Sequence, residues 1–180
     1  MHLNPCRPLG YLMIAALLLL AGCGFQLRGT GVDSVSLREL AIAAPDPNSP
    51  TYLQLREALE EDNVRLTDAA EFTLQLIGES HDRVALSYTG RASAAEVEIR
   101  HNLSFQITDT RGQPLVGPES LSVRRVYIND RDNIVGTAEE EELLRREMRR
   151  DMVRQLLFRL SSLSERELAA RSQALQQQAP

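Results

Sequence analysis

Lysine is absent from this chain, so all twenty of its basic residues are arginine. Every cationic contact is therefore a guanidinium, whose planar fork can bond two oxygens of a carboxylate or phosphate at once. Cysteine is nearly absent too. Cys6 and Cys23 are the two in the sequence, and both lie close to the N-terminus, which excludes a disulfide framework and leaves packing to supply stability. Histidine is limited to His2, His81 and His101. Acids outnumber bases by 25 to 20, so the chain is not a general polyanion binder, and nucleic acid is excluded as a partner. The apolar run from about Tyr11 to Leu20 is shorter than the roughly 20 residues that a membrane-spanning helix needs.

What that run does fit is an export signal. Arg7 supplies the positive start, about ten apolar residues follow, and Leu20-Ala21-Gly22-Cys23 places small residues directly before a cysteine. This is the pattern of a bacterial lipoprotein, in which the cysteine is acylated and becomes the first residue of the mature chain. The reading gives residues 1–22 as a signal peptide, Cys23 as the lipidation site and 23–34 as a glycine-rich tether. Residues 35–165 then make a single domain, and 166–180 a helix end with a tail lacking fixed structure. Removing the signal leaves 158 residues with 19 arginines and one cysteine, enough for one domain with a real core.

Within that domain the periodicities are clear. Leu37–Ile42 suits a short strand, and Pro45, Pro47 and Pro50 bracket a loop. Tyr52, Leu55 and Leu59 recur at helical spacing, with Pro50 suited to the helix start and Asn63 to its end. Phe72, Leu74 and Leu76 alternate with polar residues, and the same parity returns at Val84, Leu86 and Tyr88, with Gly78 a candidate bulge. Val97, Ile99, Leu103, Phe105 and Ile107 alternate again; Asp109–Gly112 reads as a hairpin turn. A last strand covers Leu115–Ile128, where Pro118 marks a break or an edge. Thr137 and Glu140 read as a capping box for a long helix carrying Leu144, Met148, Met152, Leu156 and Leu160 at steps of four and the acidic run Glu139–Glu142 at its start. The expected architecture is α+β: a two-layer sandwich with two helices packed on a four-stranded, mainly antiparallel sheet.

Catalytic chemistry finds little footing. His101 has the parity of the apolar face and suits a hydrogen-bonded, half-buried histidine, while His81-Asp82 suits a surface loop or bulge. No G-x-S-x-G elbow completes a triad. Asn129–Asn133 opens like a calcium loop, but Ile134 and Val135 stand where a ligand and a glycine are required. No catalytic residue, metal ligand set or cofactor motif is assigned. A binding or assembly role remains. Arg83, Arg91, Arg100, Arg124 and Arg125 lie on or beside the strands, either paired with Glu96, Glu98 and Asp82 or forming a patch for a phosphorylated glycolipid or an acidic protein wall. Long alternating strands also suit pairing of a partner along a sheet edge.

Several segments, in order, resemble the LptE family of lipopolysaccharide-assembly lipoproteins. They are Cys23–Gly29, Tyr88–Ala92 with Ala95-Glu96, Arg125–Tyr127 through Asn129-Asp130, and Glu140–Leu144 with Met148, Asp151, Gln155 and Arg159-Leu160. The resemblance implies a non-enzymatic outer-membrane lipoprotein, anchored by lipid, whose domain faces the periplasm and plugs the lumen of the β-barrel LptD. It also implies assistance in delivering lipopolysaccharide to the outer leaflet through basic residues near the strand tips. Arg91 takes that position here. A second basic position falls near Thr137, which is not basic, so Arg124, Arg125 and Arg131 are the candidate substitutes. Gly24 after the cysteine agrees with outer-membrane sorting.

Overall fold

The structure, a computed structural model, describes residues 35–88, 90 and 94–178. The signal peptide, Cys23 and the tether lie outside the described residues, as does Arg91. Eight elements follow in order: β1 (Glu39–Ala43), α1 (Pro50–Glu61), β2 (Arg65–Leu66), β3 (Phe72–Tyr88), β4 (Ala94–Asp109), β5 (Pro114–Ile128), α2 (Ile134–Ser161) and α3 (Glu165–Gln178).

The architecture is α+β, with two corrections to the expected sandwich. The sheet has five strands in the order β2-β1-β3-β4-β5 and is mixed. β1 runs parallel to both β2 and β3, whereas β3–β4 and β4–β5 are antiparallel. The cause is α1: a helix between two strands carries the chain back to the same end of the sheet, so the next strand can lie parallel to the first. The helix forms because the Ser49 hydroxyl accepts a hydrogen bond from the Tyr52 amide at 3.2 Å and Pro50 sits in the first turn. It ends at Asn63, whose φ of +63° is tolerated best by asparagine among side-chain-bearing residues.

The second correction is α3. Residues 165–178 are helical, in place of the helix end and the tail lacking fixed structure expected for 166–180. Leu168 is fully buried, Ser172 is buried, and Leu175 packs partly buried against the core. Arg171 also donates to the Leu115 carbonyl at 3.2 Å.

Phe72, Leu74, Leu76, Leu103, Phe105 and Ile107 build the sheet side of the core; Leu55, Leu59, Met152, Leu156 and Leu160 build the helix side. Each such side chain contributes about 1.5–3 kcal/mol by leaving water. In β5, Gly117 has a φ of +89°, and a Cβ there would lie 2.9 Å from the Phe105 carbonyl oxygen, so the kink in this edge strand requires glycine.

Register decides what lies on the helix-facing side. Leu76 pairs with Phe105, Gly78 with Ser104, and Glu79 with Leu103. One extra residue at this bulge reverses the alternation. Glu79, His81, Arg83 and Ala85 therefore share the inner face with Leu103, His101, Ile99 and Val97. The bulge expected at Gly78 is present, but Val84 beyond it lies opposite Glu98 on the outer face, which corrects the expected return of Val84 to the parity of Phe72, Leu74 and Leu76. The capping box is corrected as well. Asn133 caps α2 by accepting from the Gly136 amide at 3.1 Å, while Thr137 bonds both the amide and the carbonyl of Asp130 at 3.2 Å. The run Glu139–Glu142 thus lies beyond the first turn.

Candidate functional site

Beyond the bulge, the inner face of the sheet adds polar side chains to the buried Val97, Ile99, Leu103 and Val123 where it meets the N-terminal half of α2. The buried Tyr127 donates its hydroxyl to Glu141. The same carboxylate accepts from Arg145 at 3.0 and 2.6 Å, and Arg83 lies 3.8 Å away, its guanidinium 5.9 Å from the centre of the Tyr127 ring. Burial alone would push the Glu141 carboxyl up, but the bonds from Tyr127 and Arg145 outweigh it and hold it below its ordinary value. Burial, reinforced by the neighbouring carboxylate, pushes the Tyr127 phenol up. Arg125 forms an ion pair with Asp151, which also binds Arg154. At the base of the sheet, Arg159 grips Glu119 with two bonds of 2.8 and 2.7 Å.

A second polar group occupies the bulge itself. His101 is 1% exposed, so it is buried rather than half-buried, and its Nε2 lies 2.8 Å from Glu79 Oε1. The hydroxyl of the buried Thr51 donates to the same oxygen at 2.5 Å. His81 is not on a loop. It pairs directly opposite His101, the two rings stack with centroids 4.3 Å apart, and its Nε2 lies 3.6 Å from Glu79 Oε1. Burial would raise the Glu79 carboxyl, yet the bonds from His101 and Thr51 and the histidine charges bring it below its usual value. Burial and the neighbouring His101 lower His81, against the opposing pull of Glu79.

The arginines singled out from sequence separate into distinct surroundings. Arg100 pairs with Glu98, as one sequence reading expects. Arg83 pairs with Glu141 instead of Asp82, because the bulge turns it toward the helices. Arg125 faces Asp151 on the inner side. Arg124 stands opposite Arg100 on the outer face, exposed, and has no ion-pair partner among the described residues. Arg131 is exposed in the turn before α2 and likewise unpaired among them. Sequence reasoning missed Glu141, Asp151 and Glu79 as partners. The register across β3, β4 and β5 brings them into place, and no local spacing reveals it.

A mixed sheet whose guanidiniums and carboxylates are engaged mainly with one another, laid on a long helix, defines the class: an α+β domain with its charges turned largely inward on one another. The family profile described as LptE, lipopolysaccharide-assembly, matches residues 37–160, and the chain belongs to this family. The LPS-assembly lipoprotein LptE of Yersinia pestis (strain Pestoides F) is 31% identical over 158 residues, which cover 86% of this chain and 75% of that protein. The same values hold for LptE of Yersinia pseudotuberculosis (strain YPIII). Among solved structures, the rare lipoprotein B from Shewanella oneidensis is 28% identical with a TM-score of 0.62, covering 69% of this chain and 94% of that one. An uncharacterized lipoprotein B from Nitrosomonas europaea, 21% identical with a TM-score of 0.66, covers 77% and 91% and shows the fold alone. The family is one of assembly lipoproteins, not enzymes, in agreement with the sequence reading.

Proposed function

We propose that this chain is an outer-membrane lipoprotein, anchored through Cys23, that occupies the lumen of an LptD-like β-barrel and assists lipopolysaccharide delivery to the outer leaflet. Family membership over residues 37–160 is the observation that carries this reading. The surface is consistent with it. Tyr88, Ile128, Ile134 and Val135 are large apolar residues with two thirds or more of their surface exposed, suited to cover by a partner wall.

Lipopolysaccharide phosphates would meet Arg91, Arg124 and Arg131. Arg124 and Arg131 gain weight because their guanidiniums have no ion-pair partner among the described residues. Arg125 would first have to release Asp151. A second reading is a lipoprotein that pairs a partner strand along β5, which lies at the end of the sheet order. One experiment separates the two. The tagged chain, extracted in mild detergent, is expected to bring down a large outer-membrane β-barrel, and Arg91→Asp combined with Arg124→Asp is expected to weaken lipopolysaccharide binding with the circular dichroism unchanged. Recovery without a barrel refutes the plug; unaltered glycolipid binding refutes the arginine assignment.

A further inference from the structure

We propose that Glu79, His81 and His101 form a binding site for a single first-row divalent transition-metal cation, independent of the lipopolysaccharide reading above. Glu79 and His81 stand two apart on one face of β3, and His101 is the direct cross-strand neighbour of His81. Side chains at i and i+2 of a strand point to the same side, and the opposite residue of the next strand points there too. One ligand atom from each of the three lies within 4.8 Å of the other two.

The donor set selects the kind of ion. Two imidazole nitrogens and one carboxylate suit zinc(II), copper(II) or nickel(II), whereas calcium and magnesium prefer oxygen alone. Two histidines and one carboxylate also leave a coordination position for water. Two features prepare the site. The His101 ring is held by burial, and its Nδ1 has no hydrogen-bond partner among the described residues, so the polar contact of this ring is made at Nε2. Thr51, itself buried, bonds Glu79 Oε1 and fixes the carboxylate; outer partners of this sort orient metal ligands. A cleft of about 480 Å³ lined by Asp46, Ser49, Gly78, Glu79 and His81 gives a path from solvent.

Binding requires one rearrangement. The two rings are stacked at 18° to each other, and an ion must lie near the plane of each. The half-exposed His81 therefore swings out of the stack while the buried His101 stays. Ligation through Nε2 requires the His101 tautomer with its proton on Nδ1, the nitrogen that has no hydrogen-bond partner among the described residues, so Nε2 exchanges its contact with Glu79 for the metal.

The test uses the mature chain in mild detergent, washed free of phosphorylated glycolipid, and zinc(II) chloride as the probe. Calorimetry is expected to show saturable binding of one ion per chain, and the side-chain nitrogen resonances of both histidines should shift at Nε2. His81→Ala and Glu79→Gln should each abolish saturable binding with the circular dichroism unchanged, and Thr51→Val should weaken it about tenfold. Asp82→Asn, on the outer face, should leave it as it is. Absence of saturable binding, persistence of it in His81→Ala, or histidine resonances indifferent to zinc would each overturn the proposal.

Discussion

The two halves of the sheet's inner face are made of the same strands and lie under the same helix, yet their contacts differ in kind. Below the bulge at Gly78, Leu74, Phe105 and Ile107 meet Leu156 and Leu160, all of them without exposed surface. Above it, Arg83, Tyr127 and Arg125 meet Glu141, Arg145 and Asp151. Apolar packing is non-directional and tolerates sliding, whereas the upper half needs each donor opposite its acceptor. Val97, Ile99 and Leu103 carry the apolar core up into the second half, so the polar contacts there add direction to a core that both halves share and fix how the long strands are set on α2.

The largest effect should come from breaking the lower half. Leu156→Ala deletes a fully buried side chain between helix and sheet and should cost about 2–5 kcal/mol through lost transfer and an unfilled cavity. Urea unfolding followed by circular dichroism measures it. A loss below about 1 kcal/mol would mean that the shared core is not where stability resides.

Much of the lower half is legible in the sequence; in the upper half the inward course of Val97, Ile99 and His101 is legible, and that of the facing strand is not. Phe72, Leu74 and Leu76 face the core as their alternation implies, and Leu156 and Leu160 fall on the buried stripe of α2. Gly78 marks the bulge in the sequence, but the phase of the strand beyond it is not legible, because the residues there mix polar and apolar types and either phase fits. That single ambiguity hides the inward course of Glu79, His81 and Arg83 and with it the helix partners of the arginines. β2 has two residues, too few to carry a period. The last turns of α3 depend on Leu175 against the core, an anchor that glutamines surround in sequence.

An intermediate effect is expected at the junction of the two halves' physics. Tyr127→Phe keeps the buried ring and removes only the hydroxyl given to Glu141. A hydrogen bond to a charged group contributes about 1.5–3 kcal/mol, and the lower end applies here because Arg145 still binds the carboxylate. If thermal melting shows no change, the upper half does not depend on this bond. The comparison would then shift toward the ring's apolar contacts.

The smallest effect concerns pH and should be confined to the upper half. Folding lowers both His81 and Glu79. A lowered group binds fewer protons when folded, so its contribution is full above its ordinary value and is lost as pH falls through the folded one. Stability should therefore decline in two windows, first below the ordinary imidazole value of 6.5 as His81 is forced to charge, then below the ordinary carboxyl value of 4.5 as Glu79 is neutralised. His101 faces both groups, and Arg145 and Arg149 add repulsion toward a charged His81. Both groups are only partly buried, so solvent screens the effect. With a chelator present to exclude metal, wild type should lose more urea resistance between neutral pH and about pH 5 than His81→Ala does. Equal slopes would show that the histidine pair is electrostatically silent in the fold. The upper half's dependence on pH would then rest on carboxylates alone, below the imidazole range.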